Sequence, residues 1–182
     1  MTCIVGYAYE GGVTIAGDSA GVSGLELRIR RDEKVFKNQS FVFGCTTSFR
    51  MIQLLRYKLQ PPKRHAEQDV MEFMATVFVD AVRNTFKDGG FASKSNEFET
   101  GGHFLVGHAG RLFSIYSDYQ VAENADGFDA CGCGESYALG ALHMARNEEM
   151  SVPQRLICAL DCAAHFSAGV QGPYIYLQGG AV

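Results

Sequence analysis

The apolar pattern of this chain changes period in blocks, and that blockwise order restricts its fold more than any single motif does. Residues 3–9 and 13–17, rich in Val, Ile and Tyr, read as two strands joined at Glu10-Gly11-Gly12, a hairpin signal. Leu25, Leu27 and Ile29 alternate with Glu26, Arg28 and Arg30, the period of a half-buried strand. Further strands open at Lys34-Val35-Phe36 and over 41–45. From Phe49 the period becomes helical: Met51, Leu54, Leu55 and Leu59 share a face, Thr47 or Ser48 caps its start, and Pro61-Pro62 ends it. A longer helix is expected from about Glu67 to Phe86, with Val70, Phe73, Met74, Val77, Phe78, Ala81 and Val82 on its apolar side. Lys87 to Gly102 has four glycines and no periodic face, which predicts a loop.

The second half repeats the order. A hairpin is expected at 104–106 and 112–116 around His108-Ala109-Gly110, with short edge pieces at 120–122 and 128–131. Helices follow at 135–146 and about 152–166, the latter with Ser151 and Pro153 at its start, and 173–177 closes as a strand. Runs of strands followed by runs of helices argue against a doubly wound parallel sheet. They predict an α+β fold in a single domain spanning 1–182. Its form is a four-layer αββα sandwich, two antiparallel sheets with a helix pair on each outer face.

Charge and cysteine usage narrow the function classes. A net charge of -4 makes no electrostatic case for nucleic acid or an anionic membrane. No apolar run approaches the roughly 20 residues of a membrane helix, and the N-terminus lacks the basic segment and apolar core of a secretion signal. The expectation is cytoplasmic. The six cysteines lie mostly in apolar stretches, so reduced, largely buried thiols are expected rather than a disulfide framework. Cys131 and Cys133 are too closely spaced for a zinc knuckle. No metal and no cofactor is expected.

The chemistry concentrates at the N-terminus. Thr2 stands directly behind Met1, and the first hairpin ends on Asp18. Removal of Met1 leaves Thr2 with both a hydroxyl and a free α-amine, a nucleophile that carries its own base. Such an amine titrates near about 7.7–8, so a sizeable fraction is neutral at working pH. A nearby Lys34 ammonium lowers that value further by like-charge repulsion and stabilises charge on the Thr2 oxygen. The threonine methyl restricts χ1 and helps aim the oxygen. Cys3 lacks its own free amine and points to the opposite sheet face, so inert packing is expected there.

Three stretches in register, Thr2-Cys3-Ile4-Val5-Gly6, Ile15-Ala16-Gly17-Asp18-Ser19 and Lys34-Val35-Phe36, resemble the proteasome β-subunit family, and within it the HslV-type subunits. These are N-terminal-nucleophile hydrolases, and the resemblance in element order covers nearly the whole chain. It implies a threonine peptidase with Thr2 as nucleophile and its α-amine as base, Lys34 beside it and Asp18 holding Lys34 charged. It implies an oxyanion donor at Thr47, where the family has glycine, within Gly44-Cys45-Thr46-Thr47-Ser48. A peptide or unfolded-protein substrate would lie extended beside Gly21-Val22 and Thr46-Thr47. Cys133 aligns with the family's supporting serine. The aspartate that orients this serine aligns near His165, and the second serine becomes Ala168 or shifts to Ser167. Cys133 and His165 therefore form either a weaker relay or a pair of packing residues. The resemblance also implies a homo-oligomeric ring or spiral, with an ATPase unfoldase partner left open, and activation by Met1 removal alone. The rewritten surroundings of the trio leave two alternatives, a catalytically silent assembly protein and a small-molecule amidase of the same fold.

Overall fold

The computed structural model describes residues 1–95 and 98–180. Strands β1 (Cys3–Tyr9) and β2 (Gly12–Gly17) form the N-terminal hairpin, with Gly11 at φ +92° supplying the left-handed turn that a side chain would resist. They make the centre of a four-stranded antiparallel sheet. Strand β12 (Phe128–Gly132) flanks β1 and β13 (Ile175–Gly180) flanks β2. The second sheet has five antiparallel strands. In spatial order they are β11 (Val121–Ala122), β10 (Arg111–Ile115), β9 (Phe104–His108), β6 (Phe41–Cys45) and β5 (Val35–Asn38).

The two sheets meet through Ile4, Val13, Ile15, Val35, Val42, Leu105, Leu112 and Cys131, all buried. Gly44 lets them approach closely, because a Cβ there would collide with Ile4 and Ile15. Outside the first sheet lie α4 (Glu135–Ala145) and α5 (Val152–Phe166), which pack small residues, Ala138, Ala159 and Ala163, with Leu142, Leu156 and Leu160 against Val5, Ala16 and Phe128. Outside the second lie α1 (Phe49–Tyr57) and a segmented helix, and this layer is built on phenylalanine: Phe36, Phe43, Phe73, Phe78, Phe86 and Phe104 are all buried. The result is the expected αββα order.

Four local expectations are corrected. The helix expected from Glu67 begins at Val70, where the Asp69 carboxylate accepts from Glu72 N at 2.9 Å. It then runs as α2 (Val70–Phe73), a π-helical turn (Met74–Phe78) and α3 (Val79–Asp88). A π turn takes more residues per revolution than an α turn, so the apolar stripe slips: Phe78 stays buried while Val77 is turned out, 44% exposed. The loop expected over 87–102 contains a small hairpin, β7 (Ser93–Ser95) with β8 (Phe98–Thr100); Asn96 and Glu97, which fall within that expectation, lie outside the described residues. The half-buried strand expected over 25–29 is instead exposed at every position. Among the described residues, β4 (Glu26–Ile29) pairs only with β3 (Ala20–Ser23), in a two-stranded arm separate from the two sheets of the sandwich. The thiols are not uniformly buried either. Cys3, Cys45 and Cys131 are, but Cys133 and Cys158 are exposed and Cys162 is intermediate, because the last two sit on the outward side of α5.

Candidate active site

Four strand ends converge on one point. Thr2 precedes β1, Asp18 follows β2, Lys34 precedes β5 and Thr46-Thr47 follows β6. The register Ile4↔Gly17 sets Cys3 beside Asp18, and Asp18 N donates to Cys3 O at 3.2 Å. The register Val35↔Gly44 does the same for Lys34 and Cys45, whose N–H donates to Lys34 O at 3.0 Å. Sheet pairing alone therefore gathers residues that are far apart in the chain.

Asp18 and Lys34 form a buried ion pair, Nζ to Oδ1 at 2.8 Å, with side chains 0% and 2% exposed respectively. A carboxylate so deep needs every lone pair engaged. Cys3 N donates to the same Oδ1 at 3.0 Å, and Ala20 N (3.0 Å) and Gln171 N (3.4 Å) donate to Oδ2. Burial pulls the Lys34 ammonium below the ordinary lysine value, and the charge and hydrogen bond of Asp18 oppose that pull. Cys3, fully buried on the helix side of β1, has its thiol pushed up to about 12, by burial first and then by Asp18. It stays protonated, which removes it as a competing nucleophile.

Thr2 is 7% exposed. Its Oγ1 donates to Met1 O at 2.5 Å, and its backbone N–H points to Cys133 Sγ at 3.3 Å. The Cys133 thiol donates back to Thr2 O at 3.4 Å and lies 3.5 Å from Ser167 Oγ. The cleft in front of Thr2 holds about 120 Å³ and is walled by Met1, Val22, Lys34, Thr46, Thr47 and Phe49. Val22 and Phe49 also border a second hollow of about 440 Å³, lined by Gly21, Glu26, Arg28 and Arg30 along the exposed arm. The Arg30 guanidinium lies 3.7 Å over the Phe49 ring.

Thr47 adopts φ +56°, a left-handed conformation that a β-branched residue rarely takes. The turn is held by its neighbours: His103 N donates to Thr47 Oγ1 at 3.1 Å, and Thr46 N donates to His103 O at 3.4 Å. The Thr47 N–H itself is given to Thr46 Oγ1. Ser48 supplies the cap of α1, accepting from Arg50 N at 3.1 Å.

The structure thus brings together Thr2, Asp18, Lys34, Cys133, Thr46, Thr47 and Val22, with Gly21 in the adjoining hollow. His165 stands apart. It is exposed on α5 with its ring edge-on to Phe166 at 4.6 Å, and the side chain beside Cys133 is Ser167. The helix ends at Phe166, and the following turn, Val170 N to Ser167 O, folds Ser167 inward; a Cβ on Gly169 would sit 2.7 Å from Cys133 Sγ. Sequence reasoning missed His103, Gln171 and the Arg30–Phe49 contact. The first two act through backbone groups, which carry no residue-type signal. Among the described residues no group of three or more His, Cys, Asp or Glu side chains is placed to hold a metal ion.

Known structures share this architecture. BPH from Thiobacillus denitrificans superposes with a TM-score of 0.82 at 18% identity, over 99% of this chain and 98% of that one, and it has also been solved in complex with epoxomicin. Anbu (ancestral beta-subunit) from Yersinia bercovieri matches with a TM-score of 0.66 at 18% identity, over 98% of this chain and 81% of that one. Eukaryotic HslV from Trypanosoma brucei matches with a TM-score of 0.67 at 15% identity, over 97% and 98%. The chain has the N-terminal-nucleophile hydrolase fold. No protein-family model and no curated protein matches the sequence.

Proposed function

We propose that the chain, folded as one domain, is a threonine peptidase whose nucleophile is Thr2 after loss of Met1. The observation that carries this reading is the Asp18–Lys34 pair. It is an ion pair withdrawn from water at the edge of the Thr2 cleft, a costly arrangement with no packing role that an apolar pair would not fill better. With Met1 gone, the Thr2 α-amine takes the proton of Oγ1, and the oxygen attacks a peptide carbonyl carbon. The Lys34 ammonium stabilises charge on that oxygen. The leaving amine receives the proton, and water then hydrolyses the Thr2 ester by the same route. The Thr47 N–H serves the carbonyl oxygen once it turns from Thr46 Oγ1. An extended substrate runs from the Thr2 cleft into the hollow along β3 and β4.

While present, Met1 is part of the cleft wall and its carbonyl occupies the Thr2 hydroxyl, so activity begins with its removal. Met1 is 57% exposed, within reach of an aminopeptidase. The chain works as a homo-oligomer. The outer faces of α4 and α5 leave Met144 (74%), Phe166 (62%), Tyr137 (42%) and Ile157 (38%) exposed, an apolar surface that a second copy covers. The substrate is peptide or unfolded protein; among the described residues no helix is long and apolar enough to span a membrane.

One observation favours a second reading, a catalytically silent assembly protein: the Thr47 N–H is already engaged by Thr46. Incubating Met1-free protein with epoxomicin, the compound bound in the Thiobacillus structure, separates the two. A single covalent adduct on Thr2, absent from Thr2→Ala, is expected; an unmodified Thr2 with an intact free amine rejects the peptidase.

A further inference from the structure

The contact between Thr2 N and Cys133 Sγ puts a thiol against the atom that the peptidase reading needs as its base. An alcohol there holds a proton and does little else, whereas a thiol adds redox chemistry. We propose that Cys133 and the Thr2 α-amine form a reversible sulfur–nitrogen bond under peroxide, so that the active site is switched off by oxidation of a residue that touches it. This rests on the peptidase reading in one respect, that Met1 is removed and Thr2 N is a primary amine.

Two observations together single out Cys133: it is exposed, and its sulfur touches Thr2 N. Cys133 is exposed, so a hydroperoxide reaches it, while Cys3, Cys45 and Cys131 are buried, and burial holds all three thiols protonated. The sulfur is confined on three sides, by Thr2 N at 3.3 Å, Thr2 O at 3.4 Å and Ser167 Oγ at 3.5 Å, and Gly169 closes the fourth without a side chain. Closing the contact to a covalent bond moves only the terminal residue of the chain, ahead of the register Cys3↔Gly132 that fixes the two strands.

The chemistry balances in two steps. Hydrogen peroxide oxidises the Cys133 thiol to a sulfenic acid and is itself reduced to water. The lone pair of Thr2 N then attacks sulfur, the S–O bond breaks, and hydroxide leaves with the amine proton as a second water. The protein has lost two hydrogen atoms. Two equivalents of an external thiol reverse this, becoming a disulfide and returning Cys133 and the free amine. While the bond stands, Thr2 N is a sulfenamide nitrogen, far less basic than the free amine, so it no longer takes the hydroxyl proton and the acyl-transfer cycle stops. The bond also shields Cys133 from irreversible over-oxidation to sulfinic acid.

The experiment uses full-length protein confirmed by mass to lack Met1, treated with hydrogen peroxide and digested without reductant. Expected is a cross-linked peptide joining Thr2 to Cys133, lighter by two hydrogens than its parts, reversed by dithiothreitol. It should be absent from Cys133→Ser and from Met1-bearing protein, and retained in Cys158→Ser. Epoxomicin labelling of Thr2 is abolished by peroxide and restored by dithiothreitol. If Cys133 gains only oxygen atoms, or the loss of two hydrogens maps to Cys158 and Cys162, the switch is rejected. If the cross-link forms but unoxidised Thr2 never takes epoxomicin, the switch stands and the peptidase reading fails, so the two are judged separately.

Discussion

Thr2 lies between two regions built on opposite principles. On one side, the Asp18 carboxylate and Lys34 ammonium are sealed from water and Asp18 accepts four hydrogen bonds, three of them from backbone N–H groups of β1, β3 and the segment before β13. On the other, the Thr46-Thr47 turn is partly open to solvent, strained at Thr47, and tied down by the backbone of one residue, His103. The first region is over-determined: sheet register, charge and hydrogen bonding all require the same arrangement. The second is held by few contacts and can be re-aimed by single substitutions. Under the peptidase reading proposed above, such a division would keep the Thr2 nucleophile fixed while the groups that meet the substrate vary. The Phe-rich layer behind the turn and the Ala-rich layer behind Cys3 repeat the contrast on a larger scale.

The division is most sharply tested at Asp18. Asp18→Asn keeps the shape but leaves the Lys34 ammonium buried without a counter-charge, and a broken buried pair of this kind costs about 3–5 kcal/mol. Urea unfolding should show a loss of that order together with loss of Thr2 labelling, and adding Lys34→Met should recover part of the stability and none of the labelling. A loss below about 1 kcal/mol would mean that the pair is solvated and the comparison mistaken.

At the turn the expected sign reverses. Thr47→Gly removes a β-branched side chain from a left-handed backbone whose strain is worth about 1–3 kcal/mol, against roughly 1 kcal/mol of extra chain entropy for glycine and the small loss of the His103 N to Oγ1 bond. A net gain near 1 kcal/mol in denaturant unfolding is expected, with faster epoxomicin labelling as the channel widens. A destabilised Thr47→Gly protein would show that the threonine side chain holds the turn rather than straining it.

Thr46→Val is a smaller perturbation of the same region. It deletes the oxygen that accepts the Thr47 N–H, a bond of about 0.5–1.5 kcal/mol at a partly exposed site. Stability should fall within that range while labelling rises, because the N–H is then free for the substrate oxygen. A parallel fall in both would remove Thr47 from the oxyanion role and favour the silent reading.

The same division explains what was legible in the sequence. The convergence of Thr2, Asp18 and Lys34 was legible because each stands at a strand end, and strand ends are marked by period and by glycines such as Gly17. The sandwich was legible because blocks of period two and period 3.6 admit few layer orders. The Thr47 strain was not, since nothing in Thr46-Thr47-Ser48 specifies a positive φ, and the hydrogen bonds that accompany it come from His103, distant in sequence. Ser167 was legible as the shifted second serine, but its place beside Cys133 in preference to His165 was not, since that depends on α5 stopping at Phe166 and on the turn after it. The slip of Val77 to the surface depends on a π turn that leaves the apolar spacing of an ordinary helix intact.

The smallest expected effect separates the turn from the scaffold by pH. His103 and His108 both have imidazoles held below the ordinary histidine range, in each case chiefly by burial. His103 stacks on Tyr116 at 4.7 Å beside the turn, whereas His108 is 6% exposed and lies face-on to Phe41 at 4.0 Å, far from it in the fold. The Ser40 backbone favours the protonated form of His108 and Arg64 opposes it; Glu135 and Asp129 favour that of His103. Depressed folded values mean that the unfolded chain takes up protons first as pH falls through about 6.5. Stability is therefore flat above that value and declines below it until the folded imidazoles titrate. His108→Phe should flatten the decline in unfolding midpoint between about pH 7 and pH 5 without altering the pH profile of Thr2 labelling. His103→Phe should change the acid limb of the labelling profile, because only that ring belongs to the segment that holds Thr47. Equal effects of the two variants on labelling would mean that the turn is no more loosely held than the rest of the sandwich.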